Sequence, residues 1–351
     1  YRPENSQYQF YRVSAADVDI DGKPDIISGQ HLSQSSIVVY RNTSAPHSFS
    51  FEEKKIIADS YAFGWGFHLN DLDGDGKQDL IAANNMDYVI FARNNSSPGK
   101  IIFDQQIHLP LSTGNYGNSA LATGDIDGDG RPDIIAGGAF MSVIYIIRNT
   151  SIPGIPSFAA AESIDVSAQS GFIGIGDLDG DNKNEIIFCK TDDPNGVVFS
   201  YIKNTSTPGK FTFDERADIV AHGTDRGEIN IVDFDNDNKL DVIIGTAVFR
   251  NTTINGVISF ASPVNPGGSK LGVIAANLSG DDKPDLVSAG VLFRNISTPG
   301  EIAADPGVKT LLSKDASSAV DFDLDGRTDI VNSGGNAITI YGNNFPSELS
   351  E

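Results

Sequence analysis

The chain has 351 residues, a formal net charge of −22 and an isoelectric point near 4.4. Nucleic acids and anionic membranes attract positively charged protein surfaces, so this charge argues against both as partners. Hydrophobic residues make up 39% of the chain and charged residues 21%, which is typical of a globular protein with a packed core. The single cysteine, Cys189, excludes an intramolecular disulfide, and no apolar run approaches the roughly 18 residues of a membrane span.

An acidic segment of nine residues occurs seven times along the chain. Its copies begin 44 to 56 residues apart and leave no room for another domain, so we expect a single domain over residues 1–351. The copies lie at 17–25, 71–79, 125–133, 177–185, 233–241, 277–285 and 321–329.

Residues 61–108 show the predicted elements of one repeat in chain order. FGWGFHLND leads into the acidic segment, DLIAANN follows it, and then come DYVIFARN, the turn NSSPG and KIIFDQQI. Short runs rich in β-branched and aromatic residues, bounded by turn residues and without helical periodicity, predict four strands. The sequence therefore predicts an all-β fold, a seven-bladed β-propeller of four-stranded antiparallel blades with the acidic loops between first and second strands; a β-solenoid is the alternative.

A second motif recurs at the turn between the third and fourth strands, as in RNTSIPGIP and KNTSTPGKF. Asn, Ser, Thr, Pro and Gly are turn-forming residues, so we interpret the motif as a repeated turn. The motif also matches the glycosylation sequon, an interpretation that we consider the weaker one. The sequon asparagines are Asn42, Asn149, Asn204, Asn251 and Asn295.

The seventh repeat contains little sequence for a fourth strand. Propellers often close their ring by completing the last blade with the opposite terminus. Either residues 1–7 or the tail NNFPSELSE, residues 343–351, could supply the missing strand.

The acidic segments have the composition of metal-binding loops. Carboxylates at positions one, three, five and nine, with Gly or Asn usually at six, offer the oxygen ligands that Ca²⁺ prefers, and the main-chain carbonyl at seven adds another. The expected ligands are Asp17, Asp19, Asp21, Lys23, Asp25; Asp71, Asp73, Asp75, Lys77, Asp79; Asp125, Asp127, Asp129, Arg131, Asp133; Asp177, Asp179, Asp181, Lys183, Glu185; Asp233, Asp235, Asp237, Lys239, Asp241; and Asp321, Asp323, Asp325, Arg327, Asp329.

Not all seven loops should bind equally. Asn277 and Ser279 replace two carboxylates in the copy at 277–285, so we expect about six strong Ca²⁺ sites and a weak or absent seventh. The absence of His and Cys from the loops argues against zinc, and an EF-hand would close with Glu at position twelve between helices.

The loops resemble the Ca²⁺-binding repeats of the FG-GAP/VCBS family, known from the integrin α-chain propeller, bacterial surface proteins and fungal lectins. The namesake residues are partly kept, as Phe63-Gly64 and Gly138-Ala139. The resemblance implies that the ions are structural and that the usual ligand site lies on the face opposite the loops. For function it is less specific, because the family includes adhesins, lectins and polysaccharide-degrading enzymes.

The variable connections on that opposite face contain aromatic and polar residues suited to a sugar ring, although packing between blades uses the same residue types. The candidate ligand-binding residues are His31, Tyr61, Trp65, Tyr116, His222 and Arg226. We expect a secreted or surface-displayed recognition module for a glycan, acting as a monomer or as part of a larger surface protein, without membrane insertion. A protein-binding adhesion module and a polysaccharide lyase or hydrolase are the alternatives, and no residue is assigned a catalytic role.

Overall fold

A computed structural model of the protein describes residues 9–31, 35–60, 66–83, 87–111, 118–138, 142–167, 170–189, 197–221, 228–267, 273–310, 316–334 and 337–343. Its strands form seven separate antiparallel sheets, which confirms the predicted all-β propeller. Within the described ranges there is no helix with the length and apolarity needed to cross a bilayer.

Each sheet is one blade, and its strands follow one another in chain order. Blade 1 contains β1 (Gln9–Ala16), β2 (Asp25–His31), β3 (Ser35–Tyr40) and β4 (Lys55–Ser60), and blade 2 contains β5 (Phe67–Asn70), β6 (Asp79–Ala83), β7 (Tyr88–Ala92) and β8 (Ile107–Pro110). Blade 3 contains β9 (Asn118–Gly124), β10 (Asp133–Gly138), β11 (Val143–Ile147) and β12 (Glu162–Asp165), and blade 4 contains β13 (Phe172–Gly176), β14 (Glu185–Cys189), β15 (Val197–Ile202) and β16 (Ala217–Val220).

The remaining three blades complete the ring. Blade 5 contains β17 (Ile229–Val232), β18 (Asp241–Ile244) and β19 (Ala247–Phe249); blade 6 contains β20 (Ile274–Ala276), β21 (Asp285–Ser288), β22 (Val291–Phe293) and β23 (Val308–Lys309); blade 7 contains β24 (Ala316–Val320), β25 (Asp329–Gly334) and β26 (Ala337–Tyr341).

Blades 5 and 7 differ from the four-stranded pattern. In blade 5 the fourth position is reduced to a single bridge between Val248 and Val264, which exchange two backbone hydrogen bonds of 2.9 and 3.0 Å. Pro263 and Pro266 flank this region and cannot donate to a strand ladder, which explains the shortening. In blade 7 the two segments predicted to supply the last strand, residues 1–7 and the tail from residue 344 onward, lie outside the described residues.

The hydrophobic core lies between the blades. Buried side chains form seven clusters, and each cluster joins one blade to the next. The cluster that combines Val13 and Tyr40 of blade 1 with Phe322 and Ile340 of blade 7 closes the ring. Every blade therefore buries apolar side chains against both of its neighbours.

The second residue of each acidic loop anchors the loop to this core. These side chains are apolar, between 0% and 4% exposed, and each one belongs to the cluster shared with the following blade. They are Val18, Leu72, Ile126, Leu178, Phe234, Leu278 and Phe322. Burying one such side chain stabilises the fold by about 1.5 to 3 kcal/mol, so the loops are fixed parts of the blade interfaces.

Strand direction sorts the connections onto two faces. In an antiparallel meander the first-to-second and third-to-fourth connections lie at one edge, and the other connections lie at the opposite edge. The seven acidic segments and the repeated turns therefore share one side of the ring, which we call the loop face. The strand ends that flank the candidate ligand-binding segments lie on the opposite face.

Candidate metal centre

Six of the seven acidic loops curl around the carboxylate at their first position. In blade 2, Asp71 accepts hydrogen bonds from the Asp75 amide on Oδ1 (3.1 Å) and from the Gly76 amide on Oδ2 (2.8 Å). The Lys77 amide donates to Asp75 Oδ1 at 3.0 Å. Aspartate side chains that accept from amides further along the chain hold tight turns, so this conformation is encoded locally.

The curl requires a left-handed backbone at two positions. The fourth and sixth residues of all seven loops have positive φ, between 58° and 88°. The sequence pattern indicated the sixth position, where Gly, Asn or Asp stands. It missed the fourth, because Ile20 (φ 58°) and Leu324 (φ 59°) occupy it in blades 1 and 7. A branched side chain in this conformation costs on the order of 1 to 2 kcal/mol.

The carboxylate at position nine is buried and joins the loop to the third strand. In blade 2, Asp79 is 0% exposed and accepts from the Leu72 amide on Oδ2 (3.1 Å) and from the Asn94 amide on Oδ1 (2.8 Å). Burial raises the pKa of Asp79 to about 7; the hydrogen bond from Asn94 opposes this shift, and the nearby charge of Asp73 adds to it.

The same effect recurs around the ring. Burial, as the largest cause, raises the pKa of Asp25, Asp79, Asp133, Asp241 and Glu185 to about 7 and that of Asp329 to about 6. A bound cation would favour the ionised forms, so cation binding and proton binding oppose each other in these loops.

The loops bring potential ligand atoms close together. In each of the first four blades, one carboxylate oxygen from positions one, three and nine lies within 4.8 Å of the other two. Glu185, which replaces Asp in blade 4, belongs to such a group with Asp177 and Asp179, so its longer side chain still reaches. Clusters of aspartates could therefore hold metal ions where the sequence predicted them.

The surroundings of one carboxylate oxygen in blade 1 indicate that a cation would fit there. Asp19 is 0% exposed, and its Oδ1 has no hydrogen-bond partner in the described part of the chain. A buried carboxylate oxygen without a partner is costly, and a cation at this point would satisfy it. The side-chain atoms of loop 17–25 that could coordinate a cation are all carboxylate oxygens, which suit a hard ion such as Ca²⁺.

The structure adds a positive charge that the sequence analysis did not assign. In five blades the residue that directly follows the third strand pairs with carboxylates of the acidic loop in the same blade; these residues are Arg41, Arg93, Arg148, Lys203 and Arg250. Arg41 bonds Asp19 Oδ2 through Nε and Asp21 Oδ2 through Nη2, both at 2.6 Å. The hydrogen bond to Asp19 raises the pKa of Arg41, and that to Asp73 raises the pKa of Arg93.

This basic residue was visible in the sequence as the recurring RN or KN pair, which we interpreted as part of a turn. Its pairing with the loop means that the carboxylates are partly neutralised without a metal. Oδ2 of Asp19 is committed to Arg41, whereas Oδ1 is left for another partner.

The asparagine that follows the basic residue connects neighbouring blades. Asn149 is 0% exposed; its Nδ2 donates to Leu72 O of blade 2 (2.7 Å) and Pro132 O (3.0 Å), and its Oδ1 accepts from the Ser151 amide (2.9 Å). Asn42 makes the corresponding bond to Phe322 O of blade 7 at 2.7 Å. All five sequon asparagines are 0% exposed, so glycosylation is incompatible with the folded protein at these positions.

The loop at 277–285 is built differently. Its basic residue, Arg294, pairs with Asp305 Oδ2 at 2.8 Å. Ser279 Oγ is buried without a hydrogen-bond partner among the described residues, and Asn277 Oδ1 accepts from the Gly280 amide at 2.7 Å. Two neutral side chains stand where the other loops have charges, and weaker metal binding here stays a prediction.

Sequence comparison identifies the family. The FG-GAP-like repeat model matches residues 17–82, 71–136 and 146–244, which together span more than half of the chain. The protein belongs to the FG-GAP-like repeat family. No curated protein gives a sequence match to this FG-GAP-like chain.

Solved structures resemble this FG-GAP-like propeller in fold at low sequence identity. Rhamnogalacturonan lyase YesW is 15% identical with a TM-score of 0.53, and the matched region covers 97% of this chain and 72% of the lyase chain. An Agrocybe aegerita lectin that recognises non-reducing terminal N-acetylglucosamine is 20% identical with a TM-score of 0.57, and the matched region covers 85% of this chain and 80% of the lectin chain. BBS1N, solved in complex with ARL6DN, is 11% identical with a TM-score of 0.55, and the matched region covers 96% of this chain and 94% of the BBS1N chain. At these identities the likeness shows the fold alone.

Six residues of this FG-GAP-like protein were predicted from the sequence to bind a ligand. Tyr61, Trp65, Tyr116, His222 and Arg226 lie outside the described residues. His31 is the last residue of β2, at the edge opposite the acidic loops, and its side chain is not among those described. Their role in ligand binding stays a prediction from the sequence.

Proposed function

We propose that this protein is a calcium-stabilised extracellular recognition module that binds glycans. The observation that carries the calcium part is the buried, unpartnered Oδ1 of Asp19 in a loop of carboxylates that the chain repeats around the ring. The carboxylates at positions one, three, five and nine and the carbonyl at position seven would hold the ion. When bound, Ca²⁺ would supply positive charge that draws these oxygens together at the blade edge.

The energetic effect of such ions follows from mass action. With dissociation constants of roughly 0.1 to 1 mM, millimolar Ca²⁺ adds about 0.4 to 1.4 kcal/mol per site. Six equal sites would add roughly 2 to 8 kcal/mol, which is comparable with the whole stability of an ordinary domain. An environment with millimolar Ca²⁺ is extracellular, which supports the proposed location.

Thermal unfolding of metal-free protein with and without 1 mM Ca²⁺, about the extracellular level, tests the calcium part. We expect Ca²⁺ to raise the melting temperature by several degrees, and identical melts would refute the proposal. Asp125→Asn places Asn at position one of loop 125–133, where loop 277–285 already has Asn. This substitution should remove one Ca²⁺ from the stoichiometry measured by calorimetry. Asp104→Asn changes an exposed carboxylate outside the loops and should leave the stoichiometry unchanged.

The glycan part rests on two lines of support. Two of the similar propellers carry carbohydrate in their names, one as a lectin and one as a lyase. The sequence also places aromatic and polar residues, including Trp65 and His222, in the variable connections of the face opposite the loops. Carbohydrate binding uses aromatic surfaces edged by polar groups, which fits this composition.

A polysaccharide screen that records both retention and product release separates the three functional classes. Retention without turnover, lost in Trp65→Ala, would support glycan recognition. Binding to a cell-surface protein without glycan retention would replace it with an adhesion role. Release of unsaturated or reducing ends, lost in His222→Ala, would show a lyase or hydrolase.

A further inference from the structure

The junction where blade 1 meets blade 7 differs from the other blade junctions in the residue at the tip of the repeated turn. Five blades have glycine there, with φ between 74° and 89°, at Gly99, Gly154, Gly209, Gly256 and Gly300. Blade 1 has His47 instead, and it adopts the same left-handed conformation with φ 61°. The fold therefore presents an imidazole at a position that elsewhere has no side chain.

In the six blades whose turn tip is described, the tip lies over the acidic loop of the preceding blade. The amide of Gly99 donates to Asp19 Oδ2 at 2.8 Å, and that of Gly209 donates to Asp127 Oδ2 at 2.8 Å. By the same arrangement His47 lies over loop 321–329 of blade 7. Its Nδ1 is 3.2 Å from Asp325 Oδ2, and its side chain is 81% exposed.

Loop 321–329 also lacks the basic residue that its own strand supplies in other blades. Gly342 precedes Asn343 at the position that Arg41 or Arg93 occupies elsewhere. A Cβ added to Gly342 would lie 3.1 Å from Phe49 Cε2, so the ring of Phe49 from blade 1 fills this space. No arginine or lysine can reach the loop from this position.

Asp323 is consequently left with fewer partners than its counterparts. It is 3% exposed, and within the described ranges its carboxylate accepts one hydrogen bond, on Oδ1 from the Asp325 amide at 3.2 Å. The corresponding Asp19 receives both Arg41 and the Gly99 amide on Oδ2. A carboxylate this deeply buried with an uncommitted oxygen favours a cation beside it.

Ligand atoms of His47, Asp323 and Asp325 lie within 4.8 Å of one another. We propose that these three residues bind a borderline transition-metal dication, of the type of Zn²⁺ or Co²⁺, across the junction that closes the ring. An imidazole nitrogen with two carboxylate oxygens suits such ions, whereas Ca²⁺ takes oxygen ligands. The dication neutralises the two carboxylates, and water completes its coordination from the solvent side, where His47 is exposed.

This site goes beyond the proposed function, because the transition metal takes the place of Ca²⁺ in loop 321–329, needs no Ca²⁺ in the other loops and would link blade 1 to blade 7 by a coordinate bond. The ions are tested separately for that reason. Tag-free protein is equilibrated with Ca²⁺ to fill the other loops. It is then titrated with Zn²⁺ by calorimetry and with Co²⁺ by visible absorption, in which a nitrogen ligand gives a distinctive d–d band, and the added ion displaces Ca²⁺ from loop 321–329.

We expect one equivalent of Zn²⁺ or Co²⁺ per chain, with the affinity lowered at least tenfold in His47→Gly, in line with the usual loss of a metal contact. This variant restores the glycine of the other turn tips, so it should fold, and an unchanged Ca²⁺-dependent melting shift would verify that. His108→Gln is the control: His108 stacks on Tyr88, with ring centroids 4.1 Å apart, and the variant should bind like the wild type. Equal Zn²⁺ affinity in the wild type and His47→Gly, or no binding to either, would show that His47 and Asp325 form only an ion pair.

Discussion

The interblade asparagines make a specific prediction about what holds the ring together. Replacing Asn149 with alanine removes the donor to Leu72 O and Pro132 O and the acceptor for the Ser151 amide. Each buried polar group left without a partner costs about 1 to 3 kcal/mol, and partial relaxation makes the three together cost about 3 to 5 kcal/mol. A loss of this size is large relative to the 5 to 15 kcal/mol of a typical domain, as an order of magnitude.

Urea unfolding followed by tryptophan fluorescence and circular dichroism measures the effect, and coincident transitions would justify a two-state analysis. Thr150→Ala is the matched control, because the neighbouring Thr150 is exposed and its hydroxyl bonds only Ser157 Oγ among the described residues, at 2.9 Å. It should change the free energy of unfolding by less than about 0.5 kcal/mol.

A second substitution separates the donor from the acceptor. Asn149→Asp keeps the size of the side chain and the bond from Ser151, but it places a carboxylate oxygen against two carbonyls. We expect it to destabilise the protein at least as much as Asn149→Ala at pH 7. If Asn149→Ala unfolds within about 0.5 kcal/mol of the wild type, the asparagine is not a stabilising link between blades.

Three further predictions concern the acidic loops. In metal-free buffer the free energy of unfolding should fall between about pH 4 and pH 7, by up to about 1.4 kcal/mol per pH unit for each position-nine carboxylate. These groups have a pKa of about 6 to 7 in the fold, whereas unfolded Asp and Glu ionise near pH 4, so the protons that stabilise the fold are lost as the pH rises. Urea titrations across this range measure the slope, saturating Ca²⁺ should abolish it, and a rise in stability with pH without metal would contradict the burial argument. Arg93→Met should destabilise metal-free protein by about 2 kcal/mol and tighten Ca²⁺ binding roughly tenfold, because it removes a charge beside Asp73. Arg294→Met, whose ion pair is with Asp305 and whose loop is the expected weak site, should leave Ca²⁺ binding unchanged in calorimetry. Ile20→Asn should raise the free energy of unfolding by about 0.5 to 1 kcal/mol by relieving the left-handed strain. Ile56→Asn in β4 is the control and should lower the free energy of unfolding. If Ile20→Asn lowers it in the same way, Ile20 is not strained.

Several features of the protein were predictable from the sequence because they are local. The nine-residue spacing of carboxylates encodes hydrogen bonds between residues two to five apart, as between Asp71 and the amides of Asp75 and Gly76. Repetition of that unit predicted the number of blades, and alternating apolar residues with turn signals predicted the strands. The left-handed fourth position was missed, since Ile20 and Leu324 carry no turn signal and only the surrounding bonds impose their conformation.

The contacts that decide the chemistry of the loops depend on the tertiary structure. Asn42 bonds Phe322 O across 280 residues, and the Gly99 amide reaches Asp19 across 80 residues. Composition predicted an acidic metal-binding loop, but it could not show which carboxylate oxygens are already taken by arginine, by lysine or by the turn of the next blade. It also could not bring His47 to Asp325, because those residues meet only when the circle closes and places the first blade against the last.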